Sequence, residues 1–221
     1  MSIAELSMVV NSNFNKPLNE QNRELAYSGS WLITTSKSFT PNKTGYYKVI
    51  VVGRGGKSQR RGGGGTDDRI HLGASGGVSI STLHLEAGKN YAVSVSSSET
   101  SFAGIMKATA GGDYANYTTA GTASGGDFNY PGNPGKYATV YYTSDSENYP
   151  GADVGVFVPG LMEEKTLPVI KVGDSSTIAS FVKSGKGILG YGAGHGEGFN
   201  NATTNDLCTT GCVLIIPLEV E

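Results

Sequence analysis

Tyr46-Tyr47-Lys48-Val49-Ile50-Val51-Val52-Gly53-Arg54-Gly55-Gly56-Lys57-Ser58-Gln59-Arg60-Arg61-Gly62-Gly63-Gly64-Gly65 is the stretch that decides the fold. Its first seven residues are β-branched or aromatic apart from one lysine, which is the composition of a strand. They run straight into glycine. Gly53, Gly56, Gly62 and Gly65 share one phase of a three-residue period, interrupted only at Gln59. A left-handed helix of the polyproline-II type has three residues per turn, so glycine at period three leaves one edge free of side chains. Such edges can pack backbone to backbone, held by N–H···O bonds and weak Cα–H···O contacts rather than by apolar burial. The stretch predicts a mainly β chain in which antiparallel strands alternate with glycine tracts packed as polyglycine-II-like helices. Flexible glycine loops are the alternative reading.

The same texture extends through the chain. Glycine supplies 33 of 221 residues, while apolar residues make up 38% and charged ones 16%, against averages of about 45–50% and about 25%. The chain therefore has less apolar core than its length suggests. Gly126, Gly132 and Gly135 share a phase, as do Gly187, Gly190 and Gly196, with the small Ala193 at the missing step. Residues 39–52 and 78–95 read as two hairpin-like units of one design. In the first, Phe39-Thr40-Pro41 leads through the turn at 42–45 to a strand over 46–52. In the second, Val78 to Leu85 leads through the turn at 86–90 to Tyr91–Val95, whose strict alternation argues a half-buried strand. Val213–Ile216 reads as a closing strand, and Pro217 suggests an edge or an end of pairing. Residues 1–29 hold a single glycine, Gly29, and Leu18, Leu25 and Ala26 could line a short helical face. The expected organisation is an N-terminal attachment segment, 1–29, and one glycine-rich β domain, 30–221.

Lys plus Arg is 17 and Asp plus Glu is 19, so the net charge is 17 − 19 = −2. That balance gives no global attraction to nucleic acid or anionic lipid. The apolar runs 49–52 and 213–218 are far shorter than the roughly 20 residues that cross a bilayer. Met1 to Val10 carries Glu5, lacks a basic start and leads into a polar run, so no secretory signal is expected.

Most motifs fail on their context. Gly56-Lys57-Ser58 invites a phosphate-loop reading, but Val51 stands where that loop needs glycine, and the residues after Ser58 are too glycine-rich to start a helix. Gly73-Ala74-Ser75-Gly76-Gly77 matches G-x-S-x-G, yet a strand comes next where the nucleophile elbow needs a helix. Asp67, Asp68 and His71 have Arg69 among them and no second ligand cluster; no metal and no cofactor are expected. Cys208 and Cys212 could close a small disulfide ring or sit reduced beside the last strand. The carboxylate pairs Asp67-Asp68 and Glu163-Glu164 would diverge on a strand, so the chain is not expected to be an enzyme.

The unusual surface signal is aromatic. Seven of twelve tyrosines fall between Tyr114 and Tyr149, and residues 110–143 carry only Asp113, Asp127 and Lys136 as charges. Tyrosine offers a flat apolar face and a hydroxyl at low entropic cost. Tyr114, Tyr117, Phe128 and Tyr130, set among Gly, Asn and Pro, are the expected exposed anchors, with Arg60, Arg61 and His195 as secondary candidates. Tyr137, Tyr141 and Tyr142 are expected to belong to a strand and pack inward. Asn116, Asn129 and Asn133 would supply polar contacts to a glycan.

Val51-Val52-Gly53-Arg54-Gly55-Gly56, Gly125-Gly126-Asp127-Phe128-Asn129-Tyr130-Pro131-Gly132, Gly190-Tyr191-Gly192-Ala193-Gly194 and Gly211-Cys212-Val213-Leu214-Ile215-Ile216 together resemble the glycine-rich tail-fibre and tail-tip proteins of bacteriophages. The likeness covers roughly residues 28–221, although the glycine blocks here are shorter. It implies an adhesin with a polyglycine-II bundle whose intervening loops touch a host cell-surface receptor, either glycan or protein. It further implies a virion part made in the host cytoplasm, docked through residues 1–29 onto another tail-fibre or baseplate protein. Monomer and homotrimer stay open. The alternatives are a purely structural tail component and, more distantly, a glycan- or wall-degrading virion enzyme.

Overall fold

The computed structural model describes residues 30–62, 67–141, 151–168, 181–194 and 210–220. Among them the chain is all β, with antiparallel pairing throughout and no helix. In chain order the strands are β1 (Trp31–Ile33), β2 (Lys37–Phe39), β3 (Gly45–Val52), β4 (Gln59–Gly62), β5 (Asp67–His71), β6 (Val78–Leu85), β7 (Tyr91–Val95) and β8 (Glu99–Phe102). They continue with β9 (Met106–Thr109), β10 (Ala123–Ser124), β11 (Phe128–Tyr130), β12 (Tyr137–Tyr141), β13 (Met162–Pro168), β14 (Phe181–Ile188) and β15 (Cys212–Val220). The expected attachment segment lies outside the described residues, as do Gly65, Tyr142, His195 and Gly196.

A central sheet, ordered β1-β15-β3-β6-β11, packs on a second one, β10-β9-β8-β7-β2. Tyr47, Val49, Val51, Val213 and Ile215 of the first bury against Phe39, Val93, Phe102 and Met106 of the second. The alternate residues Ile50, Val52, Cys212 and Leu214 bury on the opposite side, against Val154, Leu161, Ile188 and Tyr191. With both faces covered, β3 and β15 need unbroken apolar runs rather than alternation, as 49–52 and 213–216 have.

The two hairpin-like units are not hairpins. β2 pairs with β7, while β3 pairs with β6 and β15. A strand that is apolar on both faces belongs in a sheet centre with a partner on each edge, so its neighbour in sequence goes to the other layer. The two turns are corners between sheets, and they lie side by side: the Gly88 amide donates to the Pro41 carbonyl at 2.9 Å and the Ala87 amide to the Thr44 hydroxyl at 2.9 Å. Pro217 does not end the pairing of β15. It stands opposite Tyr47 of β3, beyond the reach of β1, and a bulge comes directly after it.

The β3–β6 ladder continues past its last pair, Val52 with Val78. The Gly53 amide donates to Gly77 at 2.9 Å and the Gly56 amide to Ala74 at 2.7 Å, after which Gln59 stands opposite His71 in β4–β5. The register is constant from Val52–Val78 to Gln59–His71, so one hairpin runs from sandwich through glycine into a second ladder without slipping a residue. Residues 128–141 track the other edge in the same way. Tyr130 opposes Val78, Ser75 donates to Asn133 at 2.9 Å, Leu72 donates to Lys136 at 2.8 Å, and Tyr137 opposes His71.

Residues 72–77 are the hub of the glycine region. The amides of Ala74 and Gly77 donate to Gly112 and Thr109, each at 3.1 Å; those of Leu72 and Ser75 go to Lys136 and Asn133, and that of Gly76 to Gly192 at 2.8 Å. The carbonyls of Ala74 and Gly77 accept from Gly56 and Gly53, that of Ser75 from Gly121, and that of Gly73 from Ala152. Bonds to a given neighbour thus recur every third residue, whereas a β-strand bonds only the two strands beside it. Glycine is needed where the chains touch: a Cβ on Gly76 would meet the carbonyl of Gly53, and one on Gly56 that of Gly112. Gly53, Gly132 and Gly135 likewise face the carbonyls of Thr109, Ser75 and Leu72, and Gly126 lies against Ser79 and Ile80. Gly62 and Gly187 lie in strands β4 and β14, and Gly190, at φ +83°, is in the turn after β14.

Candidate recognition surface

The glycine bundle ends where the small sheet β12-β5-β4 begins, and His71 stands there between Gln59 and Tyr137. The loop after β9 is brought to the same level by two backbone bonds, Tyr114 N–H to the Lys57 carbonyl at 2.8 Å and Gly135 N–H to the Tyr117 carbonyl at 2.6 Å. His71 Nδ1 lies 3.0 Å from the Tyr114 carbonyl oxygen. A carbonyl only accepts, so Nδ1 carries the proton in this contact. The His71 ring centroid lies 4.7 Å from that of Tyr117 and 5.4 Å from that of Tyr137, at tilts of 37° and 52°.

An ion pair holds this loop to the bundle. Arg54 grips Asp113 with two nitrogens, at 2.8 and 3.2 Å, and also donates to the carbonyls of Gly55 and Ser97. The Lys57 amide donates to the same carboxylate at 2.8 Å. Burial pushes the Asp113 carboxyl upward, but the Arg54 and Lys57 hydrogen bonds and the adjacent charges outweigh it and hold the group below the usual carboxylate range.

The expected anchors divide between the two ends of the bundle. Tyr117 joins the His71 cluster through its ring and Tyr114 only through its backbone carbonyl, while Phe128, 60% exposed, and Tyr130 lie in β11 beside β6. Tyr114, Tyr117 and Tyr130 are half-buried rather than exposed as expected, because backbone bonds and ring contacts hold them against the bundle and β6. Tyr130 and Tyr137 are seven residues apart, and at the ~3.1 Å rise of extended chain that is about 20 Å. No ring contact among the described residues joins Phe128 or Tyr130 to the cluster. Arg60 and Arg61 belong to β4, opposite Ile70 and Arg69.

Two expectations need correction. Tyr137 lies in a strand but does not pack inward: it is 47% exposed, because β12 is an edge strand of a sheet at the end of the molecule. Asn129 and Asn133 are already engaged within the fold. Asn129 accepts from Ser79 Oγ at 2.8 Å and donates to the Gly126 carbonyl at 2.7 Å, and Asn133 Nδ2 donates to the Asp153 carbonyl at 3.0 Å. His71 and Tyr137 were missed as partners; the signal that could have found them is the constant register carrying 130 to 78 and 137 to 71.

Elsewhere the chemistry is structural. Ser75 is buried in the hub, where its Oγ accepts from the Asn133 amide at 2.7 Å. Cys212 is a free thiol, pushed up by complete burial, and Cys208 lies outside the described residues. Burial, followed by the neighbouring Cys212 and Glu163, pushes the Tyr191 hydroxyl up to about 12. No group of three or more His, Cys, Asp or Glu able to hold a metal converges among the described residues.

The two ends of the molecule differ in one further respect. Both described chain ends lie at the sandwich end: Trp31 stands opposite Ile215, and Val220 opposite Gly45 at the foot of β3. The His71 cluster lies beyond the bundle, at the other end. No protein-family model matches the chain, and neither does any curated protein.

Proposed function

We propose that the chain is a bacteriophage tail-tip or tail-fibre protein that binds a host cell-surface receptor through the aromatic cluster at the far end of its glycine bundle. The bundle, read as polyglycine II, is the rigid spacer between an attachment end and a recognition end. The carrying observation is the separation of those ends: the described chain termini sit at the sandwich, and an exposed tyrosine in a His-Tyr cluster sits beyond the bundle. Residues 1–29 attach the protein to another tail-fibre or baseplate component, and neither nucleic acid nor a cofactor takes part. Aromatic anchors on a rigid scaffold dominate small interfaces, which is why the cluster is assigned the contact.

The test is adhesion of the labelled protein to a panel of Gram-negative and Gram-positive cells, alongside a Tyr117→Ala/Tyr137→Ala variant. The wild type should adhere to some strains and the variant at least about tenfold more weakly, the scale for losing a hot-spot pair. Equal adhesion by a folded variant would remove the cluster from the interface. Absence of adhesion to every strain would remove the receptor role.

A further inference from the structure

We propose that the loop 113–119 is a receptor contact already set in the free protein, with Asn116 as its specificity-determining side chain and Arg54 as the residue that positions it; the inference rests on the receptor-binding reading above. Two successive turns build the loop. The Asn116 amide donates to the Asp113 carbonyl at 2.7 Å and the Thr119 amide to the Asn116 carbonyl at 2.8 Å, each spanning three residues, and the Gly112 amide closes the base on the Thr119 carbonyl at 2.8 Å. Asn116 is therefore the corner that both turns share. Glycine is required at 112, because a Cβ there would meet the Asn116 carbonyl.

The base of the loop is engaged and its tip is free. Ala115, Asn116, Thr118 and Thr119 are exposed, whereas Tyr114 and Tyr117 are half-buried, held by the bonds to Lys57 and Gly135 and by the His71 ring. The side chains of Asn116, Thr118 and Thr119 make no hydrogen bond among the described residues. Asn129 and Asn133 have their amides engaged within the fold, so Asn116 is the asparagine of this region that keeps both donors and its acceptor for a ligand. Ordering a loop at the moment of binding costs affinity, and a loop fixed beforehand avoids that cost.

Arg54 fixes it. Its guanidinium holds the Asp113 carboxylate at 2.8 and 3.2 Å and also donates to the carbonyls of Gly55 and Ser97. Ser97 lies in the turn between β7 and β8, so one side chain joins the loop to the bundle and to the second sheet of the sandwich. The Arg54 side chain is only 16% exposed. Its planar fork reaches all these oxygens at once, which the single ammonium of a lysine does not. Arg54 bonds the first residue of the first turn, and it acts on Asn116 through that turn.

The experiment compares adhesion to cells of a strain that holds the wild type for Asn116→Ala, Arg54→Lys and the double variant, with amide exchange followed at Asn116, Thr119 and Val51. Asn116→Ala should weaken adhesion about two- to tenfold, the scale of one neutral hydrogen bond, and leave exchange at Val51 as in the wild type. Arg54→Lys should speed exchange at Asn116 and Thr119 but not at Val51, and should weaken adhesion through slower association, since the loop then has to be ordered on binding. Together the two changes should weaken adhesion by less than the product of their separate factors, because Arg54 acts through Asn116. An arginine that only supports the fold would speed exchange at all three amides, and its factor would multiply with that of Asn116→Ala. Either of those results, or wild-type adhesion by Asn116→Ala, would overturn the proposal. Asn116→Ala, at an exposed side chain, decides the matter by itself should Arg54→Lys fail to fold. Normal adhesion by Asn116→Ala beside weakened adhesion by Tyr117→Ala/Tyr137→Ala would refute this inference alone, and a wild type held by no strain would refute the receptor reading with it.

Discussion

The hairpin that joins 45–62 to 67–85 is held in two different ways along its length. In its sandwich half, Val49 and Val51 fill the space between sheets that lie about 10 Å apart, and Ile50 and Val52 pack on the opposite face against Val154 and Ile188. In its glycine half, the register is the same, but at Gly53, Gly56, Gly76 and Gly77 a neighbouring carbonyl occupies the place of the missing side chain. The first half draws its stability from apolar area and the second from close backbone contact. The sandwich should therefore tolerate a change of shape but not a loss of volume, and the bundle should tolerate neither a methyl group nor a shift of register.

The largest effect expected belongs to the sandwich. Phe102 is fully buried between the sheets and stacks on Tyr91 at 5.9 Å. Phe102→Ala should cost about 3–5 kcal/mol in urea unfolding, by lost transfer energy and a cavity. The bundle's counterpart is Gly76→Ala, a gain of volume: the added methyl meets the Gly53 carbonyl in a place with no side chain to move aside. We expect about 3 kcal/mol, the upper part of the overpacking range. Gly88→Ala is its control, at φ +76° with open space around the Cβ, and should cost about 1 kcal/mol from backbone conformation alone. If Gly76→Ala proved as mild as Gly88→Ala, the bundle would be yielding like a loop and the comparison would collapse.

Legibility in the sequence divides along the same line. Val78–Leu85 and Tyr91–Val95 appear as strands at the predicted bounds, because apolar content, alternation and flanking turn residues are local signals. Their partners were not legible. Whether the turn at 86–90 closes a hairpin or turns a corner depends on the second apolar face of β3, and so on Val154 and Ile188 far along the chain. The break in glycine phase at Gln59 was visible, and it falls where β4 begins. Tyrosine density pointed to Tyr114 and Tyr117, but His71 and Tyr137 join them only through a register maintained across the bundle, which no local pattern reveals.

Acid should separate the two halves. Asp113 is titrated downward in the folded protein, so the stability it lends is present above its unfolded value of about 3.9 and is lost as pH falls through the lower folded value. Asp113→Asn should cost about 1–2 kcal/mol at pH 7, the charge-assisted range discounted for a side chain 38% exposed. The cost should shrink as pH falls below the unfolded value and through the lower folded one, where the wild type loses the same interaction. Because Asp113 ties the 110–121 loop to the bundle, amide exchange at Gly111 and Tyr114 should accelerate in acid before exchange at Val51 does. Simultaneous acceleration at all three would mean that the two halves open as one unit.

The smallest stability effect tests the functional half of the comparison. Tyr137 is 47% exposed on an edge strand and Phe128 is 60% exposed on another, at opposite ends of the bundle. Either residue changed to alanine should alter unfolding by no more than about 0.5 kcal/mol, the usual range for surface positions away from the core. If recognition is confined to the far end, Tyr137→Ala should weaken cell adhesion while Phe128→Ala leaves it unchanged. The contrast matters more than either result, because both changes remove an exposed aromatic ring and any general loss of stickiness would affect them alike. Weakened adhesion in Phe128→Ala alone would move the contact to the sandwich, and the bundle would then have no spacing role.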